Sequence, residues 1–261
     1  MEYGFIGCGH MGGAIAARLC QSTKEIAVTD RSGHAKALAE SLGIAYLPAA
    51  EIAAQCERIF LAVKPQMLRD ALEPLRDALA ERKPLIISMA AGVEIAALRE
   101  LLGCELPCIR IMPNTPVTVG MGLIPYCRSA DVSDAVLDDW LADMTPCGRL
   151  DALEERLMDA VGALSGSGPA YMYMFLDALA DGAAVCGLPK GKALDYAAQT
   201  MAGAAEMYLR SGQHPEVLKD AVCSPGGSTL AGVQALENAG FRAAAMECVV
   251  AACRRNRELG K

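Results

Sequence analysis

Short continuous apolar runs alternate with helix-spaced apolar positions over about the first 150 residues, and then the runs stop. Residues 3–7 (Tyr-Gly-Phe-Ile-Gly), Glu25–Thr29, Ile44–Leu47, Ile59–Val63, Leu85–Ser88, Cys108–Met112, Gly120–Tyr126 and Arg149–Asp151 read as strands. Between them, Ala14–Leu19, Ala35–Leu42, Pro48–Gln55, Met67–Ala80, Ile95–Leu102 and Val132–Met144 carry the helical period, with Gly43 and Gly103 as stops. Strands without polar alternation are covered on both faces, and their regular exchange with helices predicts a doubly wound, Rossmann-type parallel sheet.

From Glu154 onward only helices are predicted: Arg156–Leu164, Pro169–Val185, Pro189–Arg210, Pro215–Val222, Thr229–Ala239 and Phe241–Arg257. The chain is therefore read as an α/β nucleotide-binding domain over 1–153 and an all-helical domain over 154–261. Apolar residues spread around most of the Pro169–Val185 helix, as at Ala170, Met172, Met174, Phe175 and Leu176. A helix apolar on nearly all sides must be covered on nearly all sides. In so small a domain this predicts an interlocked homodimer, the unit from which any higher oligomer would be built.

Composition narrows the partners. The net charge of −7, with no basic stripe, argues against nucleic acid. No apolar run approaches the roughly 20 residues that span a bilayer, and the opening strand pattern predicts no signal peptide. The eleven cysteines lack metal-type pairing and sit mostly in apolar runs, so they read as small buried hydrophobes of a reduced cytoplasm, with no metal site.

Gly7-Cys-Gly9-His10-Met11-Gly12 directly follows a strand and opens a helix, and the next strand ends at Asp30. That is the context a dinucleotide fingerprint requires: Gly7 for the tight turn, Gly9 for close approach of the pyrophosphate, Gly12 for helix–strand packing. Asp30 suits a ribose 2′-hydroxyl, whereas Arg31 and Ser32 suit a 2′-phosphate; the residues leave both open. Lys64, before Pro65, is either a charged cofactor contact or a solvated turn lysine. Ala90, Ala91 and Gly92 are small enough for close ligand approach. Asn114, between two prolines, either orients a nicotinamide or its ribose, or caps its own turn.

A second glycine-containing loop, Ser224-Pro-Gly226-Gly227-Ser228-Thr229, lies between helical patterns. Backbone N–H groups at a helix start, joined by hydroxyls, form an anion cradle; the plainer alternative is a helix connector with a serine cap. Catalytic pairs are scarce. His10, His34 and His214 have no carboxylate partner in a recognisable acid–base motif, and no nucleophile elbow or metalloprotease motif occurs. A dinucleotide site without an obvious base suits reduction of a C=N bond, in which the protein mainly positions carbon against nicotinamide.

These motifs together resemble the pyrroline-5-carboxylate reductase family over essentially the whole chain. The resemblance rests on Gly7–Gly12, Ala62-Val63-Lys64-Pro65-Gln66, Ser88–Gly92, Arg110–Pro116, Ser165–Tyr171 and above all Pro215–Glu237. It implies NADPH as cofactor, with NADH often accepted. The cofactor is placed along Gly7, Gly9, His10, Met11 and Gly12, with Asp30, Arg31 and Ser32 near the adenosine ribose. Val63, Lys64, Pro65, Ala90, Ala91, Gly92 and Asn114 then lie toward the nicotinamide. It also implies that Ser224, Gly226, Gly227, Ser228 and Thr229 hold the 1-pyrroline-5-carboxylate carboxylate in the partner's site. Ser224 and Thr229 then act in catalysis, with Thr229 at the ring nitrogen, to form L-proline. Two other readings compete. A β-hydroxyacid dehydrogenase-like enzyme would need a lysine on the helix 170–185, which has none. A non-catalytic NADP sensor would leave the 224–229 loop without a purpose.

Overall fold

In the computed structural model, which describes residues 1–259, the apolar runs become eight strands. They are β1 (Tyr3–Ile6), β2 (Ile26–Thr29), β3 (Ala45–Tyr46), β4 (Arg58–Leu61), β5 (Leu85–Ser88), β6 (Cys108–Ile111), β7 (Gly122–Arg128) and β8 (Gly148–Ala152). They form one sheet in the order β3-β2-β1-β4-β5-β6-β7-β8. The order reverses beside β1, so the loops after β1 and β4 diverge and open a crevice at the carboxyl edge. Gly260 and Lys261, the last two positions of the expected helical domain, lie outside the described residues.

Seven of the neighbouring strands' helices are α1 (His10–Leu19), α2 (His34–Leu42), α3 (Ala49–Gln55), α4 (Leu68–Leu72), α5 (Arg76–Arg82), α6 (Ile95–Leu102) and α7 (Asp134–Met144). Along each strand successive side chains enter opposite layers. Phe5 and Phe60 belong to one apolar cluster, Ile6, Ile59 and Leu61 to the other, and the Phe5 and Phe60 rings stack at 4.5 Å. Three details depart from the sequence reading; the third is the expected Arg156–Leu164 helix, which is a 3₁₀ turn, one α-helical turn and a π-helical turn. The β6–β7 pair is antiparallel, because the ten residues 112–121 between them form a proline-bounded turn rather than a crossover helix. The helix expected over Met67–Ala80 is split into α4 and α5 by a 3₁₀ turn at Glu73–Leu75, since Pro74 has no N–H to donate and its ring crowds the preceding turn.

The chain divides into two compact units, one of Met1–Ser167 with the residues from Ala251 on, the other of Gly168–Val250. After the last strand, at Ala152, a 3₁₀ turn (Glu155–Leu157), α8 (Met158–Val161) and a π-helical turn (Gly162–Gly166) still belong to the first unit. The second unit is built from α9 (Gly168–Val185), α10 (Lys190–Ser211), α11 (Pro215–Ala221), α12 (Ser228–Asn238) and the start of α13 (Phe241–Leu259). Within it Phe175 meets Phe241 with ring centroids 5.4 Å apart. Much of its apolar surface stays open to solvent in the single chain, including Met174 at 74%, Met207 at 63% and Met246 at 65% exposed. No helix among the described residues is long and apolar enough to cross a membrane.

The stacked ring pair gives a direct test of the core. Phe60→Ala is expected to lower unfolding free energy by about 3–5 kcal/mol in urea denaturation.

Candidate active site

The loop after β1 is shaped by what its glycines exclude. Gly7 has φ +94°, and a Cβ there would lie 2.7 Å from the Ala62 carbonyl carbon and oxygen. A Cβ on Gly12 would lie 2.8 Å from both the Ala62 Cβ and the Gly7 oxygen. Both positions therefore need glycine for packing, one with a left-handed backbone. Gly9 differs: nothing lies within 4 Å of its Cβ position. It precedes α1 with no side-chain cap, so the first N–H groups of the helix face open space. That is a place for an anion to approach the backbone, and it fits a pyrophosphate.

In front of the loop lies a cleft of about 460 Å³. It brings together Gly7, Gly9, Asp30, Arg31, Ser32, Val63 and Lys64, all expected from the sequence. It also has an apolar wall of Ala49, Met67, Ala71, Pro74 and Leu75 that sequence reasoning missed. The wall exists because the helix is broken at Pro74, and that proline is the signal that could have revealed it. His10 lines a neighbouring groove of about 450 Å³ with His34 and Ser41, rather than this cleft. Met11 and Gly12 lie within the first turn of α1. Pro65 starts a 3₁₀ turn from Lys64, whose side chain is exposed.

Asp30 folds back on its own turn. Its Oδ2 accepts from the Ser32 hydroxyl at 2.6 Å and its Oδ1 from the Gly33 N–H at 2.9 Å. Burial alone would raise its pKa. The hydrogen bonds from Ser32 and from the Ala35 and Gly33 backbone outweigh that and hold the carboxyl below its usual range. Each oxygen thus accepts one bond within the turn, and Arg31 beside it is exposed and has no ion pair among the described residues. Cys8, beside this group, is buried, and burial followed by the Asp30 charge pushes its thiol up to about 11. It is a packing residue, not a nucleophile.

Farther along the same edge, Ala90 is buried, its N–H bonded to Ser88 Oγ at 3.3 Å, and Gly92 turns the chain with φ +76°. Ala91 is half-buried between them. Asn114 uses both ends of its amide internally. Its Nδ2 donates to the Ser165 carbonyl at 3.1 Å and its Oδ1 accepts from the Leu123 N–H at 2.9 Å. The side chain ties its turn to the Ser165 carbonyl and to the start of β7, which fixes its orientation.

In the helical unit, Ser224–Gly227 is a β-turn closed by the Gly227 N–H on the Ser224 carbonyl at 3.0 Å, with Gly226 at φ +69°. Pro at its second position and a left-handed Gly at its third make it type II. A Cβ on Gly227 would lie 2.4 Å from Ser224 Oγ, so the missing side chain is what leaves room for that hydroxyl. Gly227 precedes α12 without a side-chain cap. The exposed Ser224, Ser228 and Thr229 have no internal hydroxyl hydrogen bond among the described residues. The loop is a second helix start with open N–H groups, and here hydroxyls stand beside them.

A glycine-loop cleft at the carboxyl edge of a mostly parallel sheet, followed by a helical unit with a glycine loop of its own, is the plan of a dinucleotide-dependent oxidoreductase. Residues 155–259 match the family model described as pyrroline-5-carboxylate reductase dimerisation, and residues 2–92 the one described as NADP oxidoreductase, coenzyme F420-dependent. The chain is 40% identical to a pyrroline-5-carboxylate reductase of Pisum sativum, over 98% of this chain and 95% of that one. It is 38% identical to that of Escherichia coli, over 100% and 98%. Among solved structures, the Streptococcus pyogenes enzyme superposes with a TM-score of 0.91 at 33% identity, covering 99% of this chain and 98% of the other. The Plasmodium falciparum enzyme with NADP bound gives 0.89 at 31%, covering 100% and 98%. The chain belongs to the pyrroline-5-carboxylate reductase family.

The three loop glycines should separate in experiment. Gly9→Ala is expected to leave the thermal midpoint within about 2 °C of wild type and to weaken NADPH binding about tenfold or more, whereas Gly12→Ala should lower both. Thermal melts and a fluorescence titration with NADPH on the same preparations decide it.

Proposed function

We propose that this chain reduces the C=N bond of 1-pyrroline-5-carboxylate with NADPH, and also with NADH, to give L-proline, the last step of proline biosynthesis. The observation that carries this reading is the Ser224–Thr229 loop. The dinucleotide already has a phosphate site at Gly7–Gly12, so a second anion cradle is left for a substrate carboxylate.

The cofactor runs from Asp30, Arg31 and Ser32 at the adenosine ribose, across Gly7, Gly9, His10, Met11 and Gly12, to Val63, Lys64, Pro65, Ala90, Ala91, Gly92 and the Asn114 turn. The exposed Arg31, which has no ion pair among the described residues, supports acceptance of a 2′-phosphate, while the ionised Asp30 beside it suits a 2′-hydroxyl. When bound, the nicotinamide supplies the hydride for the imine carbon. Gly226 and Ser228 offer backbone N–H groups to the carboxylate, Gly227, whose own N–H closes the turn on the Ser224 carbonyl, leaves room beside them, and Ser224 adds its hydroxyl. Thr229 places its hydroxyl at the ring nitrogen and, with water, manages the proton there. A protonated imine is already electrophilic, so orientation is most of what the residues must provide.

The dinucleotide-binding part, 1–153, and the substrate and dimerisation part, 154–261, act across a homodimer, each loop completing the partner's site. The match to a dimerisation model and the open apolar surface of α9, α10 and α13 support this. The cytoplasm is the compartment in keeping with eleven cysteines that are all free. Lysine-dependent alcohol oxidation is disfavoured. The first lysine after α9 is Lys190, at the start of α10, and its ammonium is held by Asp177 at 2.7 Å and by Asp181.

Purified chain should turn over 1-pyrroline-5-carboxylate with NADPH, and absence of turnover with either nicotinamide would sink the reading. Thr229→Ala should lower kcat/KM about tenfold or more, and an unchanged value removes Thr229 from the site. A thermal shift with cofactor but none with proline would instead point to a sensor.

A further inference from the structure

Strand β6 carries a charge where an apolar residue would be expected. Ile109 and Ile111 enter one apolar layer, while Cys108 and Met112 enter the other. Arg110, between them on that second face, is 3% exposed. Its Nη1 donates to Glu155 Oε1 at 3.3 Å, and its Nη2 lies 3.7 Å from Asp159 Oδ1. Its Nε has no hydrogen-bond partner. A buried ion pair is seldom the most stabilising filling for such a space; a well-packed apolar side chain usually does as well or better. The pair therefore calls for a reason other than stability.

That reason is visible in the next residues of the same face. Arg110, Met112 and Asn114 grip successive turns of the segment 155–166. Arg110 takes Glu155 and Asp159. Met112 lies under Gly162, whose Cβ position is 3.2 Å from its Cε. Asn114 takes the Ser165 carbonyl. Glu155 also accepts from the Ile95 N–H at 2.7 Å, which ties in the start of α6. The Asp159 carbonyl accepts from Asn256 Nδ2 at 3.1 Å, which ties in the returning end of α13. Loosening the first rung frees the segment whose far end fixes Asn114.

We propose that Arg110 is a positioning residue of the reaction. With Glu155 and Asp159 it anchors segment 155–166 to β6 and so holds the Asn114 turn rigid. The inference rests on the reading above that this turn lies toward the nicotinamide. The adenosine end of the cleft is built from the loops after β1 and β2, with Asp30, Arg31 and Ser32, and makes no use of the anchor. Loss of the anchor should therefore slow the chemistry while leaving adenosine binding alone.

The test compares Arg110→Met, Arg110→Lys and Glu155→Gln in the full chain by three measurements. These are affinity for 2′,5′-ADP, which occupies only the adenosine end, kcat at saturating NADPH and imine, and amide exchange over 162–167. Arg110→Met is expected to lower kcat about tenfold or more and to keep 2′,5′-ADP affinity within about twofold, with part of kcat recovered in Arg110→Lys. Exchange at 162–167 should quicken while that at 7–13 does not. A kcat within about twofold of wild type, or a fall in 2′,5′-ADP affinity that matches the fall in kcat, overturns the proposal. If Arg110→Met does not fold, Glu155→Gln, which keeps an oxygen for the Ile95 N–H, is judged by the same criteria. If wild type fails to reduce the imine, the functional reading falls. The anchor is then decided by exchange, with unchanged protection at 162–167 counting against it.

Discussion

No side chain fits between the loop after β1 and the end of β4, and much of the nucleotide half follows from that exclusion. Gly7 and Gly12 both stand against Ala62, so α1 starts close to the sheet with its first N–H groups unblocked. The cost is backbone freedom, since glycine loses more conformational entropy on folding than any other residue. Dense packing of the two apolar layers, with Phe5 on Phe60 in one and Ile6, Ile59 and Leu61 in the other, offsets it and holds the loop in place. Gly9 alone among the three faces open space, so packing does not account for it as it does for Gly7 and Gly12.

The helical unit repeats the same physics with a different complement. Gly226 supplies a left-handed turn and Gly227 supplies room, but the room is for Ser224 Oγ rather than for neighbouring backbone. A helix start with open N–H groups attracts any anion. Hydroxyls added by Ser224, Ser228 and Thr229 bring directional donors and acceptors, which suit a small carboxylate beside a ring nitrogen. The unit's other distinguishing property is its uncovered apolar surface. Residues such as Met174 and Met246 that remain open in one chain are costly in water at about 25 cal/mol per Å² of apolar area, so a second copy of the chain is the natural cover.

Several features of the site could not be read from one-dimensional pattern because their partners are remote. Asn114 between two prolines has the same sequence whether it faces a cofactor or braces a turn; only the Ser165 carbonyl and the Leu123 N–H, from separate segments, show that its amide is used internally. Asp30 stands where a ribose-binding acid belongs, and Ser32 and Gly33 each donate to one of its oxygens and so fix its orientation. Local hydrogen bonds of this kind compete with ligand contacts, and the outcome depends on backbone angles that composition does not reveal. The apolar wall of the cleft was missed because Met67–Ala80 carries a good helical period, and a single proline decides where that period bends. Arg110 has its acids 45 and 49 residues away, a separation that no local pattern reveals.

What the sequence alone determined is whatever depends on neighbours along the chain. Strand runs without alternation, helices with the 3.6 period, a glycine loop between strand and helix, and the Pro-Gly-Gly turn before α12 are all local, and most appear where the pattern placed them; the Met67–Ala80 and Arg156–Leu164 helices are the exceptions, broken into shorter turns. Tertiary structure decided what depends on contacts across the chain. It turned β7 antiparallel because its connection is too short for a crossover, gave Asp30 and Asn114 internal partners, and buried a guanidinium between a strand and the segment that leaves the sheet. Local propensity and periodicity select elements, but a side chain's charge and hydrogen bonds are settled only by what the fold brings within reach of them.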